Sequence, residues 1–148
     1  MRFPRSFVPL LVLAILMIVS SACTGVIPAA MADIPVYAGA TPVDASADVI
    51  TDAMVKAIQQ SIAEQNLSSE ITLYRLPDGT QWDAVKQFYT DQIVDDWKAA
   101  PEVTQEGGAI NLIGWQRGSG ASEQMLIAAQ TENPTSGATF LLVGLFSE

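Results

Sequence analysis

The sequence contains no histidine and only one cysteine, Cys23, among its 148 residues. Without histidine, the chain cannot build a serine–histidine–aspartate triad, an imidazole metal site or imidazole acid–base catalysis. A single cysteine closes no disulfide within the chain and cannot supply the several thiolates of a structural zinc site. A phosphate-binding loop is also missing, because Gly118-Ser119-Gly120 lacks the glycine spacing and the following helix that such loops need. We therefore predict that the protein is not an enzyme and holds no metal ion or cofactor.

Basic residues are scarce, with 7 lysines and arginines against 16 aspartates and glutamates. Arg2 and Arg5 both precede Cys23, whereas every acidic residue follows it, so the chain from Cys23 onward is more acidic than the −9 of the whole sequence. A surface of this sign repels nucleic acid and anionic lipid headgroups. We therefore exclude a nucleic-acid partner and interpret the excess as a solvated acidic surface, with a cationic partner as the alternative.

The N-terminal segment has the pattern of an export signal. Two arginines are followed by an uncharged apolar run over residues 10–19. This run has the length of a signal-peptide core and is short for a membrane-spanning helix. Small residues then lead to the cysteine, in the order Ser20-Ser21-Ala22-Cys23. These four residues resemble a lipobox, the cleavage motif of bacterial lipoproteins, with Ser20 where an aliphatic residue is usual. The resemblance implies that residues 1–22 are a signal peptide and that Cys23 carries a diacylglyceryl lipid.

This interpretation places the chain in the bacterial cell envelope, anchored to a membrane by the lipid on Cys23, with its folded part on the extracytoplasmic side. Two alternatives stay open. In the first, residues 7–22 are retained as an uncleaved membrane anchor, in a short, tilted span. In the second, the protein is secreted after cleavage and carries no lipid.

The next segment, residues 23–49, is predicted to be a flexible tether. It is rich in alanine, proline, valine and threonine, and it shows no helical or strand period. A flexible chain of this length reaches roughly 25–30 Å. Within it, residues 34–40 (IPVYAGA) alternate apolar side chains and include an aromatic. This part is predicted to dock on the domain as an edge segment, where proline is tolerated.

Residues 50–148 predict one small α+β domain. Apolar residues at helical spacing predict a first helix that is capped by Thr51 or Asp52 and ends at Asn66. An alternating, β-branched pattern predicts a strand over residues 70–76.

A second helix is predicted to follow, with Thr80 as its cap and the strongest apolar face in the chain. Asp91, Asp95 and Asp96 lie off this face, and we interpret them as solvated side chains rather than as paired catalytic carboxylates. The apolar face consists of Trp82, Val85, Phe88, Tyr89, Ile93 and Trp97.

The rest of the chain predicts an antiparallel meander. Strands are predicted over residues 109–117, 123–130 and 139–146, with a short strand before them at 102–105. The last strand is apolar on both faces, which predicts a central strand that is covered on each side. The order α-β-α-β-β-β favours two helices packed on one face of a small, mainly antiparallel sheet.

Two stretches resemble a domain of exported bacterial proteins of unknown function. Residues 34–40 are similar to its "IPxYPGA" opening, with Ala38 where proline is usual. Residues 74–97 are similar to its strand-turn-helix element, although the usual Gly-Trp is absent, since Asp96 precedes the tryptophan. The resemblance implies an α+β domain and no activity. The residues that match the "VxxFY…W" pattern are Val85, Phe88, Tyr89 and Trp97.

These observations favour a membrane-anchored lipoprotein whose domain contacts another envelope protein as a non-catalytic accessory module. A second hypothesis is an accessory structural subunit of a membrane-bound complex, such as an electron-transfer assembly, held by an uncleaved N-terminal helix. A third is a small-molecule or lipid-binding module that uses a crevice between helix and sheet. The aromatic residues, Trp115 included, are expected to fill the core between helix and sheet. The alternative is that Trp115, followed by Gln116 and Arg117, presents a binding edge beside a glycine-rich loop, which makes Trp115 and Arg117 the candidate interaction surface.

Overall fold

The computed structural model describes residues 29–148. Within this range the longer elements are two helices, α1 (Val49–Gln65) and α2 (Trp82–Gln92), and four strands of eight or nine residues. Two more strands have two residues each. No helix of this range is long and apolar enough to cross a membrane. In chain order the strands are β1 (Thr41–Pro42), β2 (Ser68–Arg75), β3 (Lys98–Ala99), β4 (Ile110–Arg117), β5 (Gln124–Glu132) and β6 (Thr139–Ser147). The predicted α+β class is confirmed.

All these strands form one sheet in the order β1-β2-β6-β5-β4-β3, and every neighbouring pair is antiparallel. The last strand, β6, lies inside the sheet and pairs along its length with β2 on one side and β5 on the other. Its residues 139–146 are all buried. The prediction of a central strand covered on both sides is therefore confirmed, and β4, β5 and β6 form the predicted meander.

The two helices lie on opposite faces of the sheet. Side chains of β6 alternate between the faces, so that Leu141 and Val143 pack in the cluster that contains α2. Phe140 and Leu142 pack in the cluster that contains α1. The expectation that both helices share one face is therefore wrong in this detail. A central strand that is apolar on both faces exposes one of them to water unless each face has its own cover. The two sides are called the α1 face and the α2 face below.

The helices cover their faces unequally. On α2, Val85 and Tyr89 are 0% exposed, because the helix and residues 31–40 together close the α2 face. On α1 the buried residues are Thr51 and Met54, both in the first half of the helix. Ile62, in the second half, is only half-buried. The C-terminal half of α1 therefore covers the α1 face incompletely.

The N-cap of the first helix is Asp48, three residues before Thr51, the nearer of the two predicted caps. The carboxylate of Asp48 accepts a hydrogen bond from the Ile50 backbone N–H at 2.9 Å, as a helix N-cap does. Thr51 lies inside the helix, fully buried, where its hydroxyl donates to the Ala45 carbonyl at 2.8 Å. The predicted end of the helix is confirmed, because Asn66 has the left-handed backbone (φ 54°) that closes many helices.

The second helix is shorter than predicted. Its N-cap position is Gln81 rather than Thr80, and it ends at Gln92. The backbone becomes extended at Ile93 (φ −88°, ψ 93°), and Asp95 then takes a left-handed conformation (φ 62°). Trp97 therefore lies beyond the helix. The strand predicted over residues 102–105 is also wrong in type, because it is a 3-10 turn, Pro101–Val103, followed by a single bridge between Gln105 and Leu112.

The Asp48 carboxylate also accepts a hydrogen bond at 2.6 Å from Asn133, in the connection between β5 and β6. This bond holds the pKa of Asp48 below its ordinary value. A lowered pKa stabilises the fold above the unfolded pKa of about 3.9, and this contribution disappears as pH falls through the folded pKa. We expect Asp48→Asn to lower Tm near neutral pH and to lower it progressively less below about pH 4.

Thermal unfolding followed by circular dichroism, between about pH 7 and about pH 3, measures this effect. Asp78→Asn is the matched control, since the Asp78 side chain is 86% exposed. A loss of Tm for Asp48→Asn that is the same at both ends of the pH range would contradict the proposed role of the charge.

Candidate functional site

The structure places Trp115 in the core. It is 4% exposed and points to the α2 face, where its ring centroid lies 6.2 Å from that of Tyr89. Successive side chains of a strand point to opposite faces, so Trp115 shares the inner side of β4 with Ile113 while Gly114 faces α1. Trp115 therefore fills the core, as expected for the aromatic residues, and does not form the alternative exposed binding edge.

Arg117 lies at the end of the same strand and is half-buried. Its Nε donates to the side-chain oxygen of Gln124 at 3.0 Å. The guanidinium carbon lies 5.0 Å from the ring centroid of Trp97, which is the geometry of a cation–π contact. The predicted residue Arg117 is thus one member of a side-chain cluster that sequence reasoning did not foresee.

The centre of this cluster is Gln124, which is 4% exposed at the start of β5. Its Oε1 accepts from the backbone N–H of Ala29 at 2.8 Å, and its Nε2 donates to the carbonyl of Ala29 at 3.0 Å. The amide side chain therefore binds both backbone groups of Ala29, as a residue of a neighbouring strand does. We call Ala29, Trp97, Arg117 and Gln124 the N-terminal clasp.

The segment that follows Ala29 is packed onto the domain. Ile34 is 7% exposed in the core of the α2 face. The Tyr37 ring packs edge-on against Phe88, with 5.3 Å between the centroids. The predicted docking of residues 34–40 is confirmed, but they pack on the α2 face rather than along an edge, since pairing with the sheet edge begins only at Thr41. Residues 29–48 belong to the folded domain.

The flexible tether predicted over residues 23–49 is therefore wrong from Ala29 onward, and its first six residues lie outside the described part of the chain. Cys23 itself lies outside the described residues. It is six positions before Ala29, a separation that an extended chain spans in about 20 Å.

Acidic side chains surround the clasp. A groove of about 410 Å³ beside it is lined by Asp33, Asp95, Asp96, Trp97 and Arg117, among others. Asp95 and Asp96 are exposed, and no group of three or more potential metal ligands is brought together within residues 29–148.

The α1 face contains a second feature, a crevice between the C-terminal half of α1 and the sheet. Its volume is about 500 Å³, within the range of small-molecule sites. Sequence reasoning predicted a crevice between helix and sheet only as a general possibility, and it did not identify the lining. We call this the α1 crevice, and its apolar lining is Ile58, Ile62, Leu67, Val103, Met125, Ile127 and Phe146.

Val103 forms part of the wall of this crevice, and it can lie there because residue 114 is a glycine. A Cβ atom at Gly114 would overlap the Val103 side chain, so the glycine lets the 3-10 turn lie directly over β4. Two carboxylates, Glu123 and Glu148, lie at the rim. The arrangement therefore offers an apolar lining with anionic groups at its edge, which suits binding rather than bond making.

Tyr89 is a buried ionisable side chain on the α2 face. Burial raises the pKa of its hydroxyl above the ordinary value. Its phenol is therefore neutral at physiological pH and acts as a core side chain.

Comparison of the chain with known protein families, with characterised proteins and with solved structures finds no match. The lipobox and the exported-domain elements therefore stay predictions from the residues.

The clasp predicts a specific loss of stability. Gln124→Ala removes both hydrogen bonds to Ala29 and the acceptor of Arg117, so we expect the free energy of unfolding to fall by about 2 kcal/mol, at about 1 kcal/mol for each bond to Ala29. Amide hydrogen exchange across residues 29–40 should accelerate more than in the sheet. Denaturant unfolding and exchange mass spectrometry measure the two effects.

The matched control is Gln87→Ala, which removes an exposed hydrogen bond on α2 from Gln87 to Asp91. If Gln124→Ala and Gln87→Ala have equal effects on stability and exchange, the clasp does not hold the segment.

Proposed function

We propose that this protein is a bacterial lipoprotein, held in the cell envelope by acyl chains on Cys23, whose domain is a non-catalytic binding module on the extracytoplasmic side. The sequence supports the anchor through the arginines, the apolar run and the lipobox-like Ser20-Ser21-Ala22-Cys23. The observation that carries the proposal is the clasp at Ala29. Cleavage before Cys23 removes no residue of the described domain and leaves a short connection to it.

The clasp would also orient the domain. Gln124 pairs with Ser147 at the end of β6, and Ser147 pairs on its other side with Ser68 at the start of β2. These residues mark one end of the sheet, and a chain anchored at Cys23 would hold this end toward the membrane. Glu123 and Glu148 lie at the same end, and their charge would repel anionic headgroups. The faces and edges of the domain would then be free to contact a partner protein.

A second candidate function is the binding of a small apolar molecule or a lipid. The specific observation in its favour is the α1 crevice, whose volume of about 500 Å³ and apolar lining resemble those of ligand sites. The remaining hypothesis, an accessory subunit of a membrane complex with an uncleaved N-terminal helix, shares the same described domain and differs in the fate of residues 1–22.

The anchor is tested by the intact mass of the chain extracted in detergent from its native membrane. We expect a chain that begins at Cys23 and carries added diacylglyceryl and acyl mass. Cys23→Ser should abolish the added mass and the cleavage, because the thiol is the site of attachment. A wild-type chain that retains residues 1–22 without lipid would overturn the lipoprotein proposal and favour the uncleaved subunit, and a lipid-free chain lacking the signal would indicate secretion.

The second candidate function is tested by photocrosslinking with a diazirine-labelled palmitate added to the intact protein in nonionic detergent. Binding in the α1 crevice predicts adducts on its lining residues. Ile62→Lys places a charge at the lining and should reduce these adducts severalfold, since an unpaired charge is disfavoured in apolar surroundings. Val49→Lys is the matched control on the same helix, because Val49 is 84% exposed and lies outside the crevice. Adducts spread evenly over the surface, or unaffected by Ile62→Lys, would exclude this site.

A further inference from the structure

One edge of the sheet is only partly covered. β2 pairs with β6 along its whole length, but β1 pairs with β2 only at Arg75 and Tyr74. The Val43 N–H extends this pairing by one bond, to the Leu73 carbonyl at 3.0 Å. Over residues 68–72 the outer side of β2 has no neighbouring strand within the described part of the chain.

The hydrogen-bond pattern identifies which backbone groups this edge exposes. The Leu76 N–H donates inward to the Thr139 carbonyl, whereas the Leu73 carbonyl accepts from the outer strand. Backbone groups of successive strand residues point alternately to the two sides. The N–H and C=O groups of Ser69 and Ile71 therefore point outward, at the spacing to which another strand can pair.

A groove on the α1 face borders this edge. It has a volume of about 490 Å³ and lies between β2 and the outer side of α1, on the side of the helix away from β4 and β5. Leu73 is 4% exposed at its base, and Ile71 is half-buried. A residue paired with Ile71 would point its side chain to the same face and thus into the groove. The lining consists of Val43, Asp44, Ala45, Val55, Gln59, Ser69, Ile71 and Leu73.

Charge distinguishes among the strands that can pair here. Glu70 is exposed between Ser69 and Ile71, and its side chain points to the α2 face. In a two-fold pairing of two copies, the register that uses Ser69 and Ile71 of both copies places Glu70 opposite Glu70. Like charges directly opposite each other destabilise a strand pair. A second copy is therefore disfavoured, and a strand with a cationic side chain at this position is favoured, in keeping with the charge of −9 for the chain.

We propose that an extended segment of a partner protein adds to the sheet at Ser69–Ile71, with a lysine or arginine beside Glu70 and an aliphatic side chain in the groove beside Ile71. Strand addition of this kind takes its affinity from backbone hydrogen bonds and its specificity from the alternating side chains. The inference rests on the proposed binding function for the class of partner, and its test is independent of the lipid on Cys23.

The test uses the full chain in nonionic detergent and two blocked heptapeptides, one alternating lysine and valine and one alternating glutamate and valine. The lysine peptide should bind more tightly and should slow amide hydrogen exchange at Ser69 and Ile71. Glu70→Lys should weaken binding of the lysine peptide by about fivefold and strengthen binding of the glutamate peptide, because an attractive cross-strand pair becomes repulsive. Glu132→Lys, the same charge change at the exposed end of β5, should change neither affinity by as much.

A second variant tests the backbone contribution. Ser69→Pro removes an outward N–H without removing a bond to β6, so it should weaken binding of the lysine peptide while the protein stays folded by circular dichroism. The proposal is overturned if exchange at Ser69 and Ile71 is unchanged by the peptide, or if Glu70→Lys and Glu132→Lys are equivalent. It is also overturned if sedimentation shows a dimer that Ser69→Pro dissociates, because a second copy then occupies the edge.

Discussion

The burial of β6 on both faces is the constraint on which the rest of the structure depends. A strand with apolar side chains on both sides is stable only where both are removed from water. In this chain β2 and β5 close its two edges, and α1 and α2 close its two faces. β2 lies between the two helices in the sequence, so the chain leaves α1 on one face, runs along β2 within the sheet, and enters α2 on the other face. The opposite placement of the helices follows from this one strand.

The two faces are closed by different amounts of chain. The α2 face receives a helix, most of the large aromatic side chains and the segment that follows Ala29, which Gln124 and Ile34 fix in place. The α1 face receives one helix, whose second half is incompletely buried. The α1 crevice and the groove beside β2 both result from this difference. The two surfaces proposed for binding thus lie where the covering helix is narrower than the sheet beneath it.

The long elements were predictable because their patterns are local. Alternation located β2, β4, β5 and β6 to within about two residues, the usual precision of such boundaries, and Asn66 marked the end of α1. The clasp was not predictable, because Gln124 and Ala29 are 95 positions apart and no sequence period links them. The nearby loop made Trp115 an alternative candidate for a binding edge, because alternation along β4 places its side chain on one face of the sheet without saying whether that face is covered. The two-residue strands β1 and β3 are too short to show a period at all.

The pattern of β6 already indicates that the two helices lie on opposite faces of the sheet. The residues of β6 already implied a strand covered on both sides, which is incompatible with two helices on one face unless another layer covers the second face. The sequence shows no further amphipathic segment after Thr51 that could form such a layer. Applied consistently, the same observation predicts one helix for each face and leaves the sheet edges as the remaining unsatisfied surface. The unpaired part of β2, residues 68–72, begins at the end of the sheet that contains Gln124. This follows because Ser147 pairs with both Gln124 and Ser68. If Cys23 carries a lipid, the short connection from Ala29 brings this edge close to the membrane.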